Sequence, residues 1–417
     1  MVGELPQTMR ILVISPVYPP MRVAEADHTF HLCDHFSRMN LDVHVLTTTA
    51  PDTATHPAVK CHPLMNDWSW PELLKITRTI NHIKPDIVFI VFLGSLYKYK
   101  LMITAIPKLI KLFYSNIKCV TMFTNVGGGG GLSTVGRSFA NWVGKHKYGT
   151  LLTSSNWIFA LSERSQDRLL TLSPSVKPRL KMLPVPVIMK IAPIAPDQAR
   201  SEGRDKLGLA LDTPIVAYFG RIYPGKGLET LYQAFSRVLH VRPDARLLVI
   251  GGNLSDDLWL MPQDYTQTLS DLARDLDIDN SIIATGEYPW DSDFASLCLY
   301  ASDLCVLPLD GGVVMHNSSL SGAVAHGLPI VATQKGALEA PLEDGVNGLF
   351  CRQRDPEAMA DSILKVLDDP ELQARLRAGA QKLASEAMSW ETTLSILSNT
   401  LEFDWQEADV EAPGIAR

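Results

Sequence analysis

Residues 214–235, PIVAYFGRIYPGKGLETLYQAF, decide how this 417-residue chain is read. A short β-branched run ends at Phe219-Gly220-Arg221, a tight loop follows, and Lys226-Gly227 opens an amphipathic helix. Glycines at 220, 225 and 227 let backbone come close to an anion, and a helix N-terminus offers free N–H groups and a positive dipole. Arg221 supplies a planar fork for phosphate oxygens, and Lys226 a point charge. The competing reading is an ordinary strand-to-helix loop carrying two solvated cations.

The same alternation extends in both directions. Upstream, strands are expected at Arg10–Pro16, 41–48, 86–92, 118–124 and 156–162, with helices over 28–39, 71–83 and 99–114. A proline-rich stretch, LPVPVIMKIAPIAPD (183–197), reads as a connection between domains. Downstream, strands at 214–221, 246–252, 281–286, 303–309 and 329–333 alternate with helices near 227–240, 264–275, 291–301 and 319–326, and further helices follow from about 355. Strands alternating with helices of this length specify parallel βαβ units. The expected fold class is therefore α/β, two Rossmann-like doubly wound parallel-sheet domains in succession, with ligands at the carboxyl ends of the strands facing a cleft. Expected domains are 1–190, 191–388 and a closing helix and tail, 389–417.

Charge is divided between these halves. The whole chain carries -7, which argues against a nucleic-acid partner. Residues 1–190 hold 21 Lys+Arg against 11 Asp+Glu, whereas residues 191–417 hold 17 against 34. No acid occurs between Asp86 and Glu163, a gap that contains Lys98, Lys100, Lys108, Lys111, Lys118, Arg137, Lys145 and Lys147. On a helix over about 98–113, Lys100, Lys108 and Lys111 are expected within roughly 80° of one another. That basic 98–147 region suits an anionic membrane surface or an anionic acceptor, and a solvated helix face is the plainer alternative. The six cysteines form no Cys-x-x-Cys pair, so neither a disulfide framework nor a zinc site is expected. MVGELPQTMR lacks the basic-then-apolar order of a signal peptide, and the expected location is cytoplasmic, peripheral at the inner membrane face if the basic region meets lipid.

Ordered motifs along the chain resemble the retaining glycosyltransferases of the GT-B fold, family 4 type. SPVYPP…AEADHTFHLCDHF (15–36) is similar to that family's opening strand, Tyr-Pro-Pro loop and helix. KPDIVFI (84–90), FALSERS (159–165), the Gly-Arg…Lys-Gly loop, TGEYPWDSDFASLCLYASDLCVLP (285–308), AHGLPIVATQKGALEAPLEDGVNGLF (325–350) and SWETTLSIL (389–397) follow in the family's order. The resemblance implies transfer of a sugar from a nucleotide-diphosphate donor to an acceptor hydroxyl, with retention, without metal or resident cofactor. It also implies donor binding by the C-terminal domain and acceptor binding by the N-terminal one, the acceptor being a lipid, a saccharide or a small molecule.

The departures are specific. The family's two glutamates, eight positions apart, fall here on Val314 and Gly322, so both carboxylates are missing. Sugar and ribose must then be met differently, through Asp310, His316 or Asn317. The remaining donor-binding candidates are Gly220, Arg221, Lys226, Tyr288, His316, Asn317, Ser318, Ser319 and Leu320, where 316–319 alternatively only cap a helix. Arg221, Lys226 and His28 are the catalytic candidates. Where the family commonly places a histidine, this chain reads Thr124-Asn125-Val126 and then five glycines, expected as a mobile loop or a passive connector. Acceptor-binding candidates are Glu25, Asp27, His28, Asn125, Gly127 and Gly128. Two other functions remain open at this point: a non-catalytic GT-B partner subunit binding nucleotide or acceptor, and a GT-B nucleotide-sugar epimerase.

Overall fold

The structure is a computed structural model that describes residues 8–126, 148–252 and 265–403. Gly127, Gly128, Arg137, Lys145 and Lys147 lie outside the described residues. The chain divides into two compact units, Met1–Pro184 joined by the C-terminal stretch from Thr393, and Val185–Thr392.

In the first unit, strands β1 (Arg10–Ile14), β2 (Asp42–Thr48), β3 (Val59–Met65), β4 (Ile87–Phe92), β5 (Lys118–Phe123), β6 (Trp157–Ala160) and β7 (Leu180–Met182) form one sheet in the order β3-β2-β1-β4-β5-β6-β7. Every pairing is parallel. β4, Ile-Val-Phe-Ile-Val-Phe, is buried along its whole length, as a central parallel strand covered on both faces must be. Helices α1 (Ala24–Arg38), α2 (Leu73–Ile83), α3 (Ile106–Phe113), α4 (Thr150–Ser154) and α5 (Glu163–Leu172) cover the sheet. Ile76 and Ile80 of α2 share one buried cluster with Ile106 and Ile110 of α3, which places these two helices in the same layer.

The second unit repeats the plan. Strands β8 (Ile215–Phe219), β9 (Arg246–Ile250), β10 (Ile282–Ala284), β11 (Leu304–Leu307), β12 (Ile330–Gln334) and β13 (Leu349–Arg352) form an all-parallel sheet in the order β10-β9-β8-β11-β12-β13. Its helices are α6 (Pro196–Leu207), α7 (Leu228–Val241), α8 (Tyr265–Asp275), α9 (Phe294–Ala301), α10 (Ser318–Ala325), α11 (Pro356–Asp368) and α12 (Pro370–Ala387). α13 (Trp390–Leu401) closes the described chain, and its residues from Thr393 belong to the first unit. The expected fold class, two Rossmann-like parallel-sheet domains, is the one found. In each unit the strand order reverses at one point, between β1 and β4 and between β8 and β11, where a doubly wound sheet opens a crevice for ligands.

Three elements correct the sequence reading. The helix expected over 99–114 starts later: Met102–Ala105 is a 3₁₀ turn and α3 begins at Ile106, so Lys100 is off the helix in a loop. Lys98 and Tyr99 there have φ of 50° and 55°, a conformation that cannot continue a right-handed helix. α1 begins at Ala24, which puts Glu25, Asp27 and His28 in helical turns rather than in a loop. Val23 is the residue before it and gives no side-chain cap, so the usual polar start signal is missing. Finally α6 starts inside the proline-rich stretch, with Pro196 at its first position, where a missing N–H costs nothing.

At the N-terminal ends of β8 and β11 one polar network ties the second unit together. Arg204, with no exposed surface, donates to the carbonyls of Ala301 (3.0 Å), Ala210 (2.6 Å) and Thr213 (2.8 Å) and to Asp303 (3.1 Å). Asp303 also accepts from Arg200 (2.7 Å) and from the Ile215 N–H (2.7 Å). Gly208, at φ 67°, ends α6 and lets the chain turn into this network.

Candidate functional site

The Gly220–Gly227 loop leaves the carboxyl end of β8, at the switch point. Tyr223-Pro224-Gly225-Lys226 forms a turn closed by the Lys226 N–H on the Tyr223 carbonyl (3.1 Å). Proline at its second position and glycine at its third, at φ 92°, are what a type II turn requires. The loop is locked to the end of β11. The Asp310 N–H bonds to the Gly225 carbonyl (3.0 Å), and a Cβ on Gly227 would lie 1.9 Å from the Pro308 carbonyl oxygen. On its other side, a Cβ on Gly220 would lie 2.7 Å from Ser319 Oγ, so the loop and the start of α10 touch.

That start of α10 is open. Asn317 precedes the helix, but its Oδ1 accepts from the Val314 N–H (2.8 Å) instead of capping the helix. Asn317's carbonyl takes the N–H groups of Leu320 and Ser321. The N–H groups of Ser318 and Ser319 have no acceptor among the described residues. Two donors and the positive end of the helix dipole are therefore presented beside the glycine loop.

Lys226 supplies the charge. Its ammonium lies 4.9 Å from the centre of the Tyr223 ring, and among the described residues it has no carboxylate partner. Burial alone pushes its pKa down to about 8, so the loop holds a desolvated cation in want of an anion. Arg221 is similarly lightly engaged: among the described residues its guanidinium pairs only with the Glu287 carboxylate, at 4.0 Å. Gly220, Arg221, Lys226, Asn317, Ser318 and Ser319 are thus brought to one place.

The other donor-side candidates fare differently. Leu320 has no exposed surface and its N–H is taken by Asn317, so it contributes core packing and no free contact. Tyr288 is part-buried, its ring edge-on to Phe294 (6.3 Å). His316 sits part-exposed in the turn before Asn317. Asp310 is paired with Arg354 (2.6 Å). A carboxylate that sequence reading missed does approach the position next to Val314: Glu339, from the loop after β12, accepts from the Met315 N–H (2.9 Å). Nothing in the sequence near 314 signals it, because the contact crosses 24 positions. Gly322 is packed tightly, its missing side chain replaced by the Phe219 ring.

In the first unit, Glu25 faces the Thr124 hydroxyl at the carboxyl end of β5. Burial raises its pKa, and its own backbone N–H, then Thr124, offset part of the rise. Asn125 is exposed beside it in sequence, and Asp27 is part-buried one turn into α1. His28 is only 4% exposed, and burial lowers its pKa to about 4, so the imidazole is neutral and poorly basic at neutral pH.

Among solved structures, the chain is similar to sucrose-phosphate synthase from Thermosynechococcus elongatus (TM-score 0.72, 16% identity, 94% of this chain and 98% of that one). It is also similar to Anabaena HepE in complex with UDP and glucose (TM-score 0.70, 20% identity, 94% and 99%). At these identities the likeness concerns the fold, which is of the GT-B type. Among curated proteins, the GDP-mannose-dependent monoacylated alpha-(1-6)-phosphatidylinositol monomannoside mannosyltransferase of Corynebacterium glutamicum is 28% identical over 230 residues, 54% of this chain and 56% of that protein. The D-inositol 3-phosphate glycosyltransferase of Saccharomonospora viridis is 31% identical over 208 residues, 48% and 45%. The chain thus spans about half the length of the curated relatives it matches. Residues 199–383, which include the whole Gly220–Gly227 loop and α10, match the family Glycosyl transferases group 1.

Proposed function

We propose that the protein is a glycosyltransferase that moves a sugar from a nucleoside-diphosphate donor to an acceptor hydroxyl, with retention and without a metal. The observation that carries this reading is Lys226, a desolvated cation with no carboxylate partner among the described residues, in the loop whose Gly220 touches the open start of α10. A diphosphate seated there meets a point charge, a guanidinium and a helix N-terminus. Its negative charge grows as the anomeric bond breaks, so these groups bind the transition state more tightly than the ground state. Lys226 and Arg221 together supply positive charge of the kind a divalent cation provides elsewhere. Retention rests on the resemblance. The acceptor is met by the first unit, where Glu25 accepts a hydrogen bond from its hydroxyl.

A thermal-shift panel of UDP-, GDP- and ADP-sugars tests the donor half. One base is expected to raise the melting temperature, with nucleotide released when acceptor is added and the rate unchanged by EDTA. A folded protein whose melting temperature none of them moves would instead be a non-catalytic partner. On the acceptor side, Glu25→Gln is expected to lower kcat/KM for the acceptor about 10- to 100-fold, the worth of a hydrogen bond to a charged group. Donor shifts should be unaffected. Because burial raises the Glu25 pKa, wild-type transfer should climb with pH through a value above the ordinary carboxylate range, and the variant should lack that limb.

A further inference from the structure

Seven of the exposed large hydrophobic side chains described in this protein fall within residues 64–113, and three elsewhere. On α2, Leu74 and Arg78 stand opposite the buried Ile76 and Ile80. On α3, Lys108, Lys111 and Leu112 stand opposite the buried Ile106 and Ile110, and Phe113 at the helix end is 73% exposed. These two helices lie in one layer on the sheet, so their outer faces form one surface. The loop leading into α3 adds to it. Lys98 and Tyr99 are both held at positive φ, and Tyr99 and Leu101 are more than half exposed.

The charge on this stretch is one-sided. Residues 64–113 contain seven Lys and Arg and three acids. Each acid is engaged locally: Glu72 accepts from Lys75 and from the N–H groups of residues 66–68, Asp86 from the Arg10 N–H, and Asp67 from Ser69. Among the described residues the lysines at 98, 100, 108 and 111 form no ion pair, and Lys100 acts on Asp67 only at longer range.

We infer that the α2–α3 face docks the protein on a membrane surface containing anionic lipid. Exposed Leu, Phe, Tyr and Trp side chains enter the headgroup region, while lysines reach phosphates from the same face. A protein partner suits this surface less well, because lysine is depleted from protein–protein interfaces. No helix among the described residues is long and apolar enough to cross a membrane. This inference does not depend on the donor site.

The full chain is sedimented with vesicles of phosphatidylcholine alone and of phosphatidylcholine mixed with phosphatidylglycerol. Wild type is expected to co-sediment with the mixed vesicles and to be released by salt. Lys108→Glu/Lys111→Glu should weaken binding by at least about 25-fold, since each lost lysine is worth about five-fold. Leu112→Ser/Phe113→Ser should weaken it through the apolar contact, and because these four positions are exposed, both doubles should melt with wild type. Absence of wild-type binding, or wild-type affinity in both doubles, overturns the inference. So does a lipid-free dimer, seen by sedimentation velocity, that Leu112→Ser/Phe113→Ser dissolves, because the face then belongs to a second copy. Nucleotide-sugar shifts are measured on the same doubles, and their persistence alongside lost vesicle binding separates this inference from the transferase reading.

Discussion

Lys226→Ala is expected to lower sugar transfer by at least about 100-fold, with loss of the thermal shift by nucleotide, as for removal of one preorganised contact to developing charge. Among the described residues the ammonium makes no ion pair that the substitution would break, so the fold should survive it. In the ligand-free protein the effect on stability should even be positive. The folded pKa, about 8, lies below the usual lysine value, so near neutral pH the folded state pays to keep this group charged. Wild-type stability should rise as pH increases from about 8 toward the unfolded lysine value, about 10.4, because there the unfolded chain binds the extra proton. The advantage of Lys226→Ala should accordingly be largest below pH 8 and shrink above it. Nucleotide binding has the opposite trend. A bound diphosphate favours the charged lysine, so affinity should hold up to about pH 8 and fall above it, by at most about tenfold per pH unit. Binding titrations across that range, with Lys226→Ala as the pH-independent control, check both signs.

Asp303→Ala is expected to cost about 3–5 kcal/mol of stability, read as a shift in the denaturant midpoint of the second unit. The aspartate sits among Arg200, the fully buried Arg204 and the first N–H of β8. Its removal leaves a buried guanidinium without its counter-charge and a backbone donor without an acceptor. Arg204 would retain three carbonyl partners, which soften the loss without neutralising the charge. A midpoint shift worth under about 1 kcal/mol would place the network in the class of ordinary surface pairs.

Much of this architecture was legible from residues alone, and what was not has a common cause. The central strands declared themselves as continuous apolar runs, as in β4 and β8, because both their faces are covered. β3, β7 and β13 went unread, and all three are sheet edges. An edge strand needs no continuous apolar run, and β3 even contains Pro63, which an interior strand would exclude. At the site, the glycine loop was readable because turn chemistry is local: Pro224, Gly225 and Gly227 are demanded by backbone geometry within a few positions. The start of α10 was readable as a helix N-terminus, but that Asn317 turns away from it was not. The approach of Glu339 to Met315 and the pairing of Asp310 with Arg354 could not be read at all, since each joins elements far apart in sequence. Lys100 was misplaced because a helical wheel assumes a continuous helix, and two left-handed residues end that assumption.

β8 and β11 carry the arginine–aspartate network at their N-terminal ends and the glycine loop at their carboxyl ends. One strand length separates what keeps the unit folded from the proposed donor site. Under the proposed function, substitutions that retune the choice of base or sugar would fall in the loop and at the start of α10 with little penalty to folding. If the donor is bound as proposed, the same separation lets the scaffold absorb Val314 and Gly322 where the resembling family has glutamates, and it makes this end of the sheet the place to engineer donor choice.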